Sequence, residues 1–436
     1  MPDIVPDPEH RPERAPDAST TTPAERRRGI QILFFSLVCV GTGQSLMFAI
    51  LPSIARDLGL SEFQVGAIFA VSATIWVFTS PYWGRRSDHV GRRPIMLMGL
   101  LAFAISTALF ASVIAAGFAA LIPALFVYPL MVASRAIYGL LGSGTFAAAQ
   151  AYVADRTTRA ERVGGVATIG AAFGLGTTIG PGIGAALVVF GVLAPFYFTA
   201  AAALMSAAAI FFFLPERTPP RERDRGPGLS WRDPRILTYL TFGIGLSTAG
   251  AIPIQTVGFF FIDVLALDLA EAAQYVGVGL MASSTAALFA QLVLVQKFRL
   301  SSRALIRWGM VLALVSNLLF IVSSSFGPLI LALVCAGLGF GMARPGYAAA
   351  ASLAVRPHEQ GAVAGLTGAT AGAGFIFGPL IGNALYEVAP TAPYVFGVAL
   401  MVGLLIYGYL DRRIRNAGMA PSEETAETPE TQVPNA

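Results

Sequence analysis

Long apolar runs separated by short polar segments follow one another along the whole chain. Each run can supply about 20 residues of helix, the length that crosses a bilayer. In lipid a helix satisfies its own backbone hydrogen bonds, whereas an open sheet leaves unpaired edges. The pattern therefore predicts an all-α membrane protein with twelve transmembrane helices, which begin near Ile30, Phe63, Arg93, Val127, Val163, Ala194, Ile236, Ala272, Leu305, Gly327, Ala362 and Ala392.

The polar segments divide the chain into an N-terminal tail (1–29), a six-helix bundle (30–214), a linker (215–235), a second six-helix bundle (236–412) and a disordered tail (413–436). The linker is rich in proline, glycine and mixed charges, a composition typical of flexible connections. The N-terminal tail lacks the apolar centre and cleavage site of a signal peptide, so we expect the first run to remain a span. Ser61 followed by Gln64 predicts a capping box at the start of span two.

Composition supports a membrane protein and the charges predict its orientation. The chain is 55% hydrophobic and 12% charged, with a net charge of +4, whereas soluble domains are about 25% charged. The basic residues lie in short loops, which argues for topology signals and against nucleic-acid binding. They cluster in the two tails, the linker and loops 2–3, 4–5 and 8–9, and only Arg56 lies on the opposite side. We therefore expect both termini in the cytoplasm of a bacterial inner membrane.

An internal repeat relates the two bundles. The segment "GLGTTIGPGIGAAL" (174–187) recurs as "GAGFIFGPLIGNAL" (372–385), at an offset of 198 residues. Near the start of each half, an offset of 211 residues aligns Gln44 with Gln255 and Gly66 with Gly277. Two homologous six-helix bundles are typical of secondary transporters, which hold the substrate between the repeats near the bilayer midplane.

At residues 30–412 the chain resembles the major facilitator superfamily, and within it the drug/proton antiporters that include tetracycline exporters. Three motifs carry the resemblance: "GRRSDHVGRR" between spans two and three, "RAIYG" in span four and "GTTIGPGIGA" in span five. The resemblance implies alternating-access transport of a small molecule, with multidrug efflux as the typical activity. No span has a central His, Asp or Glu, which argues against a membrane-embedded enzyme.

The motif between spans two and three is expected to act in gating. Gly84 and Gly91 permit tight backbone turns. The resemblance implies that Asp88 approaches the N-terminus of span eleven, where the helix dipole favours a negative charge. Arg92 and Arg93 would then pair with acids across the two halves and latch the outward-facing state. The alternative is that the arginines serve only as topology signals.

Span five and its repeat are expected to form a hinge and a seam between the halves. Gly176, Gly180 and Gly184 are four residues apart, so they share one helix face and allow close helix approach. Pro181 loosens the helix at this face. The repeat supplies the equivalent residues Gly378, Pro379 and Gly382.

Polar residues within the spans are the candidates for substrate binding and coupling. An arginine in the hydrocarbon zone is costly and normally faces a wet cavity or a partner. The resemblance connects Arg135 with proton transfer or substrate binding, whereas Arg344 has no such support and could lie near its helix end. The other candidates are Gln44, Gln255, Tyr138 and Tyr347. A cavity lined by arginine and glutamine favours neutral or anionic compounds over cations.

The absence of a mid-span carboxylate leaves the coupling open. Drug/proton antiporters usually carry such a group, and here the acids nearest to the spans lie towards helix ends or in loops. The leading hypothesis is proton-linked efflux of an aromatic or amphiphilic compound by a monomer surrounded by lipid. The alternative is uptake of a metabolite or vitamin such as riboflavin. The two cysteines and three histidines form no metal-ligand pattern, and we expect no cofactor.

Overall fold

The computed structural model describes residues 22–157, 159–215, 229–298, 300–356 and 359–415. Within these ranges the ordered elements are helical, and twelve helices are long and apolar enough to cross a membrane. They are α1 (Pro23–Asp57), α2 (Glu62–Val90), α3 (Arg92–Phe118), α4 in two segments (Ala124–Gly142 and Thr145–Arg156), α5 (Arg159–Leu187), α6 (Ala194–Phe213), α7 (Pro234–Leu265), α8 (Leu269–Phe289, continued by a π-helix over Ala290–Lys297), α9 (Ser302–Val322), α10 (Phe326–Leu353), α11 (Gln360–Val388) and α12 (Ala392–Leu410). The predicted all-α fold with twelve spans is confirmed.

Several boundaries differ from the expected ones. Helix α1 begins at Pro23, within the predicted N-terminal tail, because Thr22 and Glu25 form a capping box. A short helix, α13 (Arg412–Arg415), extends past the predicted end of the second bundle. Residues 1–21, 216–228 and 416–436 lie outside the described residues, and these contain most of the predicted tails and linker. The predicted capping box of Ser61 and Gln64 is present at the start of α2.

The helices form two bundles, α1–α6 and α7–α12. We call the end at which α6 finishes and α7 begins the linker end, and the end with the α1–α2 and α7–α8 turns the far end. Within the bundles, α1 packs along α5 and α7 packs along α11. Between the bundles, α2 packs against α11 and α5 against α8. The pair α1 and α5 therefore lies within the first bundle, and the pair α7 and α11 lies within the second.

The seam between the bundles lies in the far-end part of α2, α5, α8 and α11. A Cβ atom added to Gly66 of α2 would lie 2.6 Å from the carbonyl oxygen of Pro379 of α11. One added to Gly277 of α8 would lie 2.7 Å from the carbonyl oxygen of Pro181 of α5. Gly66 and Gly277 are equivalent in the repeat, so the two halves of the seam make the same kind of glycine-to-backbone contact. Glycine at each position lets one backbone approach the other.

Towards the linker end the contact between the bundles ends, and several glycines of α5 and α11 have open space beside them. The α2–α11 contact reaches to about mid-helix, where a Cβ atom on Gly372 would lie 2.7 Å from Cγ2 of Val77. Beyond this point, Cβ atoms on glycines of α5 and α11 would meet no atom within 4 Å; these are Gly164, Gly170, Gly174, Gly365 and Gly368. The structure is thus tightly packed between the bundles at the far end and open around these glycines nearer the linker end.

Candidate functional site

Arg135 lies inside α4 with only 2% of its surface exposed. Its Nη2 donates a hydrogen bond of 2.8 Å to Oε1 of Gln44 on α1. Its Nε and Nη1 have no hydrogen-bond partner, and no carboxylate of the described residues lies within salt-bridge distance. Burying a charge without a counter-charge costs several kcal/mol. The guanidinium is therefore a buried donor group with spare capacity for an acceptor.

The "RAIYG" motif sets the position of this guanidinium. Gly139 allows α4 to approach α2, since a Cβ atom there would lie 2.7 Å from the carbonyl oxygen of Ser72. The Ser72 hydroxyl in turn donates to the carbonyl oxygen of Arg135 at 3.2 Å. The ring of Tyr138 lies 5.5 Å from the Arg135 guanidinium carbon and packs edge-on against Phe103. The motif thus holds Arg135 against α1 by packing on two sides.

Arg344 is the corresponding charge in the second bundle. It lies within α10, nine residues before the helix ends at Leu353. Its guanidinium points at α7, because a Cβ atom on Gly250 would lie 2.9 Å from Nη2. Unlike Arg135, its side chain is exposed. No carboxylate of the described residues pairs with it.

The two arginines contact the central helices at the same depth. Helices α1 and α7 touch at Pro52 and Gly258 near the far end. Gln44, the partner of Arg135, precedes Pro52 by eight residues, and Gly250, which Arg344 faces, precedes Gly258 by eight residues. Eight residues of helix span about 12 Å. The side chains of Arg135 and Arg344 therefore reach α1 and α7 at one level, although Arg344 lies eleven residues nearer the linker end than Leu333, the repeat equivalent of Arg135.

The remaining polar candidates have unequal surroundings. Tyr347 is buried, and its hydroxyl forms a 2.9 Å hydrogen bond with Oγ1 of Thr370, which joins α10 to α11. Gln255 is also buried, and its Nε2 has no partner. Although Gln255 aligns with Gln44 in the repeat, only Gln44 is bound to an arginine. The repeat in sequence therefore does not reproduce the polar contacts.

The glycine triads do not form the seam between the bundles. A Cβ atom on Gly180 would lie 2.6 Å from the carbonyl oxygen of Thr42, so this face of α5, with Gly176 and Gly184, packs on α1 of its own half. Gly378 and Gly382 pack in the same way on α7 of the second half. The expected location at the seam was wrong, because glycine spacing predicts that another helix approaches closely but does not say which helix. The motif residues that reach the seam include Pro181, Gly182 and Ala185 of α5 and Pro379 of α11.

The motif between spans two and three is mostly helical. Gly84 lies inside α2 and makes no turn, contrary to expectation. The turn is made by Gly91 alone, whose φ of 106° favours glycine. Arg92, 7% exposed, binds Asp88 at 2.5 Å and Asp155 at 3.2 Å, both in its own bundle.

Two further contacts tie this end of each bundle together. Arg93 donates to the carbonyl oxygen of Phe211 at the end of α6. In the second bundle Arg235 binds Asp233 and Glu359, and this guanidinium holds the pKa of the Asp233 carboxyl below its usual range. The contacts of Arg92 and Arg93 described here lie within the first bundle, so a latch across the halves stays a prediction.

A far-end cluster joins the bundles and was not recognised from the sequence. Arg56 at the end of α1 binds Asp263 at the end of α7, with Nη2 2.9 Å from Oδ2. The Tyr386 hydroxyl of α11 donates to the same Asp263 carboxylate at 2.5 Å. The signal available in the sequence was the isolation of Arg56 as the single basic residue on its side.

A family model described as Major Facilitator Superfamily matches residues 33–299 and 287–432. The chain belongs to this superfamily. It is therefore a transporter and not an enzyme, as the motifs predicted.

Characterised relatives cover nearly the whole chain. The chain is 28% identical over 388 residues to Multidrug resistance protein 1 of Bacillus subtilis (strain 168), covering 86% of this chain and 95% of that protein. It is 22% identical over 393 residues to Quinolone resistance protein NorA of Staphylococcus aureus, covering 88% and 97%.

Solved structures support the fold. A bacterial homologue of the human lysosomal transporter Spinster, in an inward-facing and unoccupied conformation, matches with a TM-score of 0.67 and 15% identity, over 92% of this chain and all of that one. The human organic anion transporter MFSD10 matches with a TM-score of 0.61 and 22% identity, over 89% of this chain and all of that one. At these identities the likeness concerns the fold alone.

Proposed function

We propose that this protein is a proton-linked exporter of small aromatic or amphiphilic organic compounds that are neutral or anionic. The observation that carries the cargo class is the pair Arg135 and Arg344, whose side chains reach α1 and α7 at one level without a carboxylate partner among the described residues. Charge-assisted hydrogen bonds to an anion are stronger than neutral ones. A cationic cargo would be repelled at this level.

Export is favoured by the relatives, whose names record multidrug and quinolone resistance. From the positive-inside rule we expect the linker end, where the loop arginines cluster, to face the cytoplasm. With that orientation, the seam at the far end supports an inward-facing state, in which cargo would enter from the cytoplasm. The bundles would rock about the seam to expose the same level to the outside.

For the gating residues we propose a role within one bundle, beside the predicted latch across the halves. Asp88 and Arg92 would hold α2, α3 and α4 as one unit during rocking, because Arg92 bridges Asp88 and Asp155. The triads of α5 and α11 would fix α1 and α7 within their own halves. Such units are needed when two bundles move as rigid bodies. We propose that one monomer in lipid suffices for transport.

Uptake of a metabolite or vitamin, such as riboflavin, remains the second candidate. The observation that favours it is the position of the carboxylates, which in the described helices lie near helix ends. A facilitator needs no mid-span proton site.

Flux into proteoliposomes with an imposed pH gradient tests both functions. The panel should contain anionic, neutral and cationic aromatic compounds of similar size, riboflavin included. The proposal expects anionic and neutral compounds to move against their gradient when protons flow the other way. Flux that does not change with the pH gradient would favour the facilitator. Preferred transport of cations would refute the proposed class of neutral or anionic cargo.

A matched pair of variants distinguishes a role of Arg344 in cargo binding from a general effect of removing one arginine. Arg344→Ala is expected to impair transport of anions more than of neutral compounds. Arg307→Ala removes an arginine whose guanidinium lies over the ring of Tyr409, and we expect no selective effect.

A further inference from the structure

The far-end cluster spans the two bundles through a single carboxylate. Asp263 of α7 accepts hydrogen bonds from both terminal nitrogens of Arg56 on α1 and from the hydroxyl of Tyr386 on α11. Arg56 belongs to the first bundle, whereas Asp263 and Tyr386 belong to the second. The ion pair of Arg56 and Asp263 is therefore a direct bond across the seam.

A second bond across the seam lies beside it. The Glu387 carboxylate at the end of α11 accepts a hydrogen bond of 3.0 Å from the backbone N–H of Phe63. Phe63 is in the first turn of α2, where backbone N–H groups have no partner within the helix. The end of α11 thus caps the start of α2. Both bonds must break before the far ends of the bundles can part.

The cluster is arranged so that the cross-bundle bond can break without leaving Arg56 alone. Arg56 already donates a hydrogen bond of 2.8 Å to Glu62, which lies in its own bundle. On the other side, Tyr386 is in the same bundle as Asp263. If the Asp263 carboxylate becomes neutral, Arg56 retains Glu62 and Asp263 retains Tyr386. Each bundle therefore keeps its own polar partner when the bond is lost.

Solvent can reach the bond from the far end. About a third of each side chain is exposed, 31% for Arg56 and 29% for Asp263. The carboxylate can therefore exchange protons with water. A partly exposed ion pair is also weak enough to break in each cycle.

The other titratable groups at the far end do not substitute for Asp263. Tyr394 of α12 pairs with Thr256 of α7, deeper in the bundle. Those on the far-end turns of α1, α2, α8, α11 and α12 are Arg56, Asp57, Glu62, Asp268, Glu271, Tyr386, Glu387 and Tyr394. Asp263 is the carboxylate of this set that accepts from an arginine of the opposite bundle.

We propose that Asp263 is the proton-binding switch of a far-end gate. In the ionised form it holds Arg56 and keeps the far end closed. A proton from the solution on that side neutralises the carboxylate and releases Arg56 to Glu62, and the bundles part once the Glu387 cap of α2 also opens. The proposal deepens the proton-linked transport proposed above and names its residue, in a chain whose other described carboxylates within the spans also lie near helix ends.

Distance measurements between spin labels test the gate without any cargo. In a variant carrying Cys39→Ala and Cys335→Ala, nitroxides are attached through Leu121→Cys and Val388→Cys. These two positions are exposed, lie at the far end and belong to different bundles. The expected result in lipid nanodiscs is one short distance at about pH 7.5 and a second, longer distance at about pH 4, within the ordinary aspartate range.

Variants identify the group responsible. Asp263→Asn is expected to populate the longer distance at both pH values, and Asp57→Asn, which removes a neighbouring exposed charge, is expected to behave as the parent. The double variant Arg56→Asp with Asp263→Arg should restore the short distance at about pH 7.5, which also shows that the chain still folds.

Two outcomes overturn the gate. One is a distance distribution in the parent that does not change with pH. The other is a closed far end in Asp263→Asn. Because no cargo is present, either result is independent of whether the protein exports the compounds proposed above. Conversely, a pH-dependent opening with no organic flux would leave the gate standing and refute the proposed function.

Discussion

Gly277 of α8 packs against the carbonyl oxygen of Pro181 of α5, and this contact joins the two bundles of the transporter. Its repeat equivalent, Gly66 against Pro379, joins them on the other side. In both pairs a glycine, which has no side chain, lets its helix approach the backbone of a proline in the other bundle. The internal repeat of the sequence therefore produces two equivalent contacts at the seam, one on each side.

A side chain at Gly66 should open the seam. In Gly66→Ala the added Cβ atom would lie 2.6 Å from the Pro379 oxygen, and such overpacking costs about 1–3 kcal/mol. We expect transport to fall about tenfold or more while membrane abundance is kept. Gly403→Ala in α12 is the control, since a Cβ atom there meets nothing within 4 Å and the position belongs to no motif. Equal rates in the two variants would show that the seam tolerates the change.

Replacement of Arg135 should raise stability and abolish transport. Arg135→Met removes a buried charge that has no counter-charge among the described residues, and replacing buried charge by an apolar side chain can stabilise a protein by about 1–4 kcal/mol. We therefore expect a higher Tm together with lost substrate binding. Thermal unfolding in detergent and ligand-binding calorimetry measure the two effects. A lowered Tm with intact binding would contradict both the electrostatic account and the substrate role.

Loss of the Asp88 carboxylate should slow transport without preventing insertion. Asp88→Asn leaves Arg92 with Asp155, so the linker end of the first bundle stays folded but is less firmly held. We expect transport to slow about tenfold or more, since hydrogen bonds to charged groups contribute about 1.5–3 kcal/mol. Initial rates normalised to the amount of protein in the membrane test this. If the rate is normal, the motif serves as a topology marker only.

The second cross-bundle bond at the far end should contribute less than the ion pair. Glu387→Gln keeps an acceptor for the N–H of Phe63, whereas Glu387→Ala removes it. We expect transport to be nearly unchanged in the first variant and reduced about threefold in the second, as for loss of one cap of about 0.5–2 kcal/mol. Similar rates in both variants would mean that this cap takes no part in closing the far end.

The sequence by itself determined the twelve spans, the two bundles and the family. Bilayer thickness fixes the length of a span, and the apolar runs report that length directly. It also identified Arg135 and Arg344 as unusual, because an arginine in lipid is costly in any arrangement. These properties belong to single segments, so they can be read without knowing which helices meet.

Only the tertiary structure decided which helix each polar or small residue faces. Gly176, Gly180 and Gly184 share a face whose spacing fits a partner in either bundle, and packing places them on α1. Arg56 and Asp263 are 207 residues apart, and neither lies in a motif. Their bond exists because α1 and α7 end side by side at the far end. Contacts between distant segments depend on how whole helices pack. The local periodicity of one helix does not indicate which other helix it will contact.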